Sequence, residues 1–245
     1  FLSFKFLFYF LPVAYKVFVH LLELKNMIMK KMTVSRLTDI ENIPAVQVPA
    51  VLDQAGIAFQ PIDRLNWTEY PYKPQVEFRI AHTGDHLLVH YRVTEQSVRA
   101  VAPSDNGRVW EDSCCEFFLQ PDLREPVYYN FECNCVGTLL LNCGKAGDRH
   151  PAPKEVLDRI DRWSSLGRIP FEERMGTCSW EMALVIPASS LFNHPIQDFG
   201  RRTMHGNFYK CGDLLQVPHF LSWNPIQLPK PNFHCPDFFG ELNFE

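Results

Sequence analysis

The chain has 245 residues, 46% of them hydrophobic and 21% charged, with 24 Lys+Arg against 28 Asp+Glu for a formal charge of -4. That length holds one large domain or two small ones, and the apolar and charged fractions exclude a disordered, collagenous or polytopic membrane chain. No basic run exceeds a few residues, which excludes a nucleic-acid backbone as partner. The 20 Phe, 8 Tyr and 5 Trp, with 19 Pro against 12 Gly, favour strands over helices, because aromatic side chains fit a pleated surface and proline punctuates it.

The opening stretch is far greasier than the remainder of the chain. Its uninterrupted apolar run, Phe6 to Tyr15, is only 10 residues, and Lys5, Lys16, His20 and Glu23 interrupt the rest. A membrane span needs about 20 apolar residues with few charges, and the run lacks the small-x-small cleavage site that a secretory signal requires. The expectation is that residues 1–26 are an over-extended reading frame outside the fold, with translation starting at Met27, Met29 or Met32. Residues 27–245 then form a single domain of a cytoplasmic protein with no membrane partner. A real signal or anchor within residues 1–24 is the alternative, and it implies a secreted, periplasmic or membrane-attached protein.

From Val76 the pattern alternates. Val76, Phe78 and Ile80 point one way and Glu77 and Arg79 the other; His82-Thr83-Gly84-Asp85 supplies a turn; then Leu87, Val89, Tyr91 and Val93 face inward with His86, His90 and Arg92 outward. This predicts a β-hairpin with one solvated face. Ser113–Gln120, Val127–Leu141, Trp180–Ile186 and Asn207–Cys211 have the same extended character. Between them, Val156, Ile160 and Trp163 after Pro153 have helical spacing, and Pro187–Phe192 reads as a loop or one-turn helix. Short strands in series predict an all-β antiparallel sandwich or jelly roll with one or two short helices.

The eight cysteines contain no C-x-x-C pair: Cys114 and Cys115 are adjacent, Cys133 and Cys135 alternate, and Cys143, Cys178, Cys211 and Cys235 are scattered. Free thiols, several of them buried, are expected. Structural zinc is disfavoured because it wants ligands paired at short spacing. Nucleophile-elbow, phosphate-loop, dinucleotide and metalloprotease signatures are all absent. His86 and His90, about 13 Å apart on a strand, are too distant to share an ion.

Two strands carry a mixed chemistry. Cys114, Glu116, Phe118 and Gln120 share one face opposite Cys115, Phe117 and Leu119, while Tyr128, Asn130, Glu132 and Asn134 share another opposite Tyr129, Phe131, Cys133 and Cys135. Carboxylates and amides beside a ring such as Trp110 suit a sugar, whose C–H face stacks on aromatics and whose hydroxyls bond to polar groups.

The runs Val109-Trp110-Glu111-Asp112-Ser113-Cys114-Cys115-Glu116-Phe117-Phe118 and Tyr128-Tyr129-Asn130-Phe131-Glu132-Cys133-Asn134 with Gly137-Thr138 carry a likeness that extends to Trp180-Glu181, Ile186-Pro187, Asn207 to Asp213 and Pro218 to Pro225. Phe233-His234 and Phe238-Phe239-Gly240 continue it. Together they resemble the family 9 carbohydrate-binding modules, in particular the stand-alone family 9-like group of Bacteroidetes, from about Ile62 to the C-terminus. The resemblance implies a DOMON-like β-sandwich that binds mono- or oligosaccharide ends from polysaccharide breakdown between two aromatic side chains. By position it places Trp110 as the first clamp ring and Phe233 as the second, Glu116 as the hydrogen-bonding carboxylate, and Glu132, Asn134, Lys210 and Trp223 around them. Glu132 stands where the xylanase-appended modules have a basic residue, and Lys210 where they have an amide. It implies no required cofactor, with structural calcium the one ion to consider through Asp112 and Asp213. The partner expected is a saccharide.

Two other classes are weighed against this non-catalytic reading. One is a glycoside hydrolase using Glu116 and Glu132, whose carboxyls would need to stand about 5–5.5 Å apart for retention or about 6.5–9.5 Å for inversion. The other is a haem module, which needs an axial Met/His pair where the body of the chain offers only Met175, Met182 and Met204.

Overall fold

The computed structural model describes residues 29–40 and 42–245, so the reading of residues 1–26 falls outside the described residues. Among those described, no helix is long and apolar enough to cross a membrane. The strands are β1 (Lys31–Arg36), β2 (Gln60–Pro61), β3 (Arg64–Leu65), β4 (Gln75–His82), β5 (His86–Ala100), β6 (Cys114–Gln120), β7 (Tyr128–Asn134) and β8 (Leu139–Lys145). They continue with β9 (Asp148–Pro151), β10 (Asp161–Ser164), β11 (Phe171–Pro187), β12 (Thr203–Cys211), β13 (Phe220–Ser222) and β14 (Gly240–Phe244). The helices are α1 (Val48–Gln54) and α2 (Lys154–Leu157).

Hydrogen bonding runs β10-β11-β5-β4-β1-β14-β12-β6-β7-β8-β9. The path folds at β1, whose Lys31 to Val34 pair with β14 and whose Ser35 and Arg36 pair with β4, both in parallel. The β4/β5 side and the β12/β6 side thereby become two facing sheets, with antiparallel pairing elsewhere. Period-2 alternation supplies the filling between them. Phe78 of β4 stacks on Phe208 of β12 at 3.6 Å between ring centroids, Phe208 on Phe117 of β6 at 4.6 Å, and Phe117 on Phe131 of β7 at 6.1 Å. The expected sandwich is therefore observed, with the two short helices packed at its margins.

The predicted hairpin is β4/β5, and its second face is wet only in part: Arg92 and Glu77 are open to solvent, while Arg79 and His90 are covered. Val48 and Leu52 of α1, four residues apart and so on one side of the helix, lie with Ala81, Leu88, Ala183 and Val185 in a second apolar cluster on the outside of the sheet. This two-turn helix, opened by Pro49, is too short to declare itself by periodicity. It covers Arg79 and His90, which are 3% and 0% exposed. Arg79 donates through Nη1 to Asp53 Oδ1 at 2.6 Å, through Nη2 to the Pro49 carbonyl at 2.9 Å and through Nε to His90 Nδ1 at 3.1 Å. His90 is thus the Nε2–H tautomer and donates to Glu181 Oε2 at 2.9 Å.

Burial, reinforced by Arg79, holds the His90 pKa down at about 4, against the pull of Glu181. The unfolded chain takes up that proton near pH 6.5 and the folded chain does not, so the stability tied to neutral His90 is full above about pH 6.5 and is lost as pH falls toward 4. Compared with His90→Gln, the wild type should lose roughly 3 kcal/mol more between pH 7 and pH 4 in urea melts. Parallel stability–pH curves for the two proteins would contradict the assignment.

Other elements differ in detail from expectation. Val127–Leu141 is not one strand but the β7/β8 hairpin, whose turn holds Gly137 at φ 83°. The helical spacing after Pro153 yields only α2; Val156 and Ile160 are buried, but Trp163 lies on β10 opposite Ala183. Pro187–Phe192 contains a single 3-10 turn, Ala188–Ser190. All eight cysteines are free thiols, seven of them buried and Cys178 partly exposed.

Candidate functional site

The outer face of β12, β6, β7 and β8 forms the floor of a cavity of about 350 Å³, within the usual size of a small-molecule site. Strand register decides what lies on that floor. Glu116 sits directly opposite Glu132 across β6/β7 and opposite Tyr209 across β6/β12, while Cys114 faces Cys211. Because side chains alternate, Glu116, Glu132, Asn130 and Cys211 all reach the outer face, and their neighbours Cys115, Phe117, Phe131 and Phe208 fill the core. Other segments complete the walls: Trp110 and Asp213 on one part of the rim, Phe220 at the start of β13, and Asn232, Phe233 and His234 from the loop before β14.

Phe233 is braced from behind by Tyr209, the rings parallel within 7° at 4.2 Å. Trp110 is half-buried. Its carbonyl accepts the Asp213 amide at 3.1 Å, which ties the rim loop to the end of β12. Arg149 of β9 lies opposite Gly144 in the β8/β9 hairpin and donates to the carbonyl of Gly144, to Asn130 Oδ1 and to the carbonyl of Asn142. Gly144, at φ 142°, has no room for a Cβ, which would come within 2.1 Å of the Asp148 carbonyl oxygen. The guanidinium lies 3.8 Å above the Tyr128 ring. Asn130 passes the polarity on, donating through Nδ2 to Glu132 Oε1 at 2.7 Å, and Tyr128 bonds through its hydroxyl to His234 Nδ1 at 2.9 Å.

The carboxyl groups here are unusually hard to ionise. Glu116 and Glu132 are 2% and 4% exposed. Burial first, then the Cys211 thiol and the Glu132 carboxyl, push Glu116 well above the ordinary carboxyl range. Burial raises Glu132 to about 7, against the opposing effects of the Asn130 hydrogen bond and the Arg149 charge. Asp213 rises to about 6 through burial and the nearby Glu111. The floor therefore presents carboxyls whose hold on their protons is strengthened by burial, next to the Arg149 cation.

The structure brings together four residues singled out from sequence: Trp110, Glu116, Glu132 and Phe233 line the cavity. Three others lie elsewhere. Lys210 points into the sandwich interior, because it stands two residues after the inward Phe208; its Nζ is 2.9 Å from Glu95 Oε2, with both side chains 0% exposed. Asn134 is a turn builder whose Oδ1 accepts the amides of Val136 and Thr138 at 3.3 and 2.9 Å and whose Nδ2 donates to Asp112 Oδ2. Trp223 plugs the core edge-on to Phe78 and Phe208 at 6.0 and 6.1 Å. A Cβ at Gly240 would stand 2.4 Å from its ring, so that glycine makes room for it. Arg149, Asn130, Asp213 and His234 also line the cavity; of these, Asn130 shares a face with Glu132 in the sequence pattern, Asp213 and His234 fall within the runs that resemble the family, and Arg149 carries no such signal.

Of the two acidic residues considered for calcium, Asp112 is committed to other partners. Asp112 spends both oxygens on the amides of Val101 and Ala102 and on Asn134 Nδ2, with Arg99 at 3.6 Å. Asp213 stands on the rim, and among the described residues no three carboxylates converge as a hard cation of six to eight oxygen ligands would need.

Comparison with known proteins gives the family and the fold. The sequence model of carbohydrate-binding family 9 matches residues 46–244. A protein from Bacteroides uniformis assigned to carbohydrate binding superposes with a TM-score of 0.87 at 56% identity, over 89% of this chain and 100% of its own. Family 9 modules from Caldicellulosiruptor kristjanssonii in complex with glucose and with cellotriose share the fold at 12% identity, with TM-scores of 0.54 and 0.51. The matches cover 88% of this chain in both cases, and 96% and 94% of theirs. No curated protein matches the chain.

Proposed function

The chain belongs to carbohydrate-binding family 9, and from that premise we propose that it holds a saccharide, without catalysing a reaction on it, in the cavity bordered by Trp110 and Phe233. The observation that carries this reading is the joining of two aromatic side chains and a buried polar floor in one cavity of monosaccharide to disaccharide size. A pyranose presents C–H faces to rings and hydroxyls, each both donor and acceptor, to its edges. The carboxyl groups of Glu116, Glu132 and Asp213 and the Asn130 amide held by Arg149 match that demand.

The hydrolase alternative fares worse on geometry. Glu116 and Glu132 stand side by side on adjacent strands of one floor, so both approach a ligand from the same side, whereas a glycosidase places its carboxyls on either side of the scissile bond.

Titration calorimetry with glucose, cellobiose, cellotriose, xylobiose and galactose tests the proposal. Saturable heat with at least one saccharide, and no reducing-end release from the oligosaccharides, is expected. Absence of heat with every sugar, or hydrolysis that Glu116→Gln abolishes, would overturn it.

A further inference from the structure

At one end of the cavity floor the fold assembles a group that sequence spacing hides. Cys114 and Glu116 are two residues apart on β6 and so share a face, and Cys211 is the cross-strand partner of Cys114 on β12. Their side chains meet: Cys211 Sγ lies 3.0 Å from Glu116 Oε1, and the two sulfurs and a Glu116 oxygen all lie within 4.8 Å of one another. All three residues are buried, and they are the sole such His, Cys, Asp or Glu group among the described residues.

We propose that Cys114, Cys211 and Glu116 form a binding site for a borderline-soft divalent metal ion of the zinc type. Zinc accepts thiolate at about 2.3 Å and carboxylate at about 2.0–2.2 Å in a tetrahedron. The donors around such an ion stand roughly 3.5–4 Å apart, a spacing that lies between the 3.0 Å from Cys211 Sγ to Glu116 Oε1 and the 4.8 Å that bounds the group. Two sulfurs favour zinc, cadmium or cobalt over calcium and magnesium. Glu116 and Cys211 line the cavity, which leaves the fourth position open to a water from that side, the pattern of three protein ligands and one exchangeable one.

Binding exchanges protons for metal: M²⁺ plus two thiols and one carboxylic acid gives a complex of net charge one minus and three protons released to solvent. No oxidant is involved, and the thiol-to-carboxyl hydrogen bond is replaced by two bonds to the ion. Zinc ligands in a sequence are ordinarily paired at short spacing, and here the pairing is made by strand register instead.

The experiment titrates cobalt(II) into the reduced full chain under argon, with no saccharide present, so its outcome is independent of the sugar-binding proposal. One equivalent should produce the near-ultraviolet sulfur-to-cobalt charge-transfer band together with visible bands of a tetrahedral site, and zinc should displace it. Cys114→Ser and Cys211→Ser should each weaken binding at least ~100-fold and reduce the charge-transfer band, while Cys178→Ser, at the partly exposed thiol, leaves both unchanged. Should either variant fail to fold, X-ray absorption on the zinc-loaded wild type replaces it and should show two sulfur and two oxygen neighbours. No charge-transfer band from the folded, reduced wild type would overturn the proposal. So would a band that survives both substitutions, or a first shell without sulfur.

Discussion

Replacing Lys210 by Met is expected to cost about 3–5 kcal/mol of stability, the usual penalty for removing one member of a buried ion pair. Lys210 Nζ approaches Glu95 Oε2 at 2.9 Å, donates to the Cys211 carbonyl at 2.8 Å and donates to His219 Nε2 at 2.7 Å. His219 can accept because its pKa is held down at about 2 by burial and by Lys210 itself, which keeps the ring neutral. Glu95 accepts in turn from Trp180 Nε1 at 2.8 Å. The pair therefore joins β12, which carries the cavity floor on its other face, to β5 of the opposite sheet.

Without Lys210, a carboxylate would be left in an apolar interior with one indole donor. At about 2–4 °C per kcal/mol for a chain of this size, the melting temperature should fall by roughly 6–20 °C. Adding Glu95→Gln removes the stranded charge while keeping an acceptor for Trp180, so the double variant should recover a substantial part of the loss. A Lys210→Met protein that melts like wild type but has lost affinity for sugar would instead place Lys210 on the ligand.

Lys210 also shows where sequence reading succeeds and where it stops. Alternation in Ser113–Gln120 and Tyr128–Asn134 is enough to put Glu116 and Glu132 on one face and Phe117 and Phe131 on the other, as the structure shows. The same rule applied to Asn207–Cys211 sends Lys210 inward with Phe208. Positional likeness to a family pulls it toward the ligand instead, because a lysine facing a core looks implausible until its partner is known. That partner, Glu95, belongs to the other sheet, and no local pattern links the two. Arg149 and His234 escape for a similar reason. A hairpin register puts Arg149 under the cavity, and a loop returning over the floor brings His234 to Tyr128. Trp223 escapes likewise: the room Gly240 leaves for its indole is a contact between distant segments that only the fold reveals.

Trp110→Ala should weaken saccharide binding by about 2 kcal/mol, a loss of roughly 30-fold in affinity, with little change in stability. The stability half rests on placement. Trp110 is half-buried at the rim, in a three-residue 3-10 turn, and the structural bonds it makes to Asp213 and Cys211 come from its backbone carbonyl, which alanine retains. The affinity half rests on what the ring alone supplies, a flat apolar surface that excludes water from one sugar face. Trp110→Phe, which keeps a smaller ring, should recover part of the loss.

Phe233→Ala makes the complementary case. Phe233 is 9% exposed and stacked on Tyr209, so its removal should lower the melting temperature as well as the affinity, because Tyr209 loses its cover. Calorimetry and thermal melts on the three variants separate the two contributions. Unchanged affinity in a folded Trp110→Ala protein would mean that the sugar does not rest on this ring. The stacking surface would then have to be Phe233 or Phe220, deeper along the same cavity.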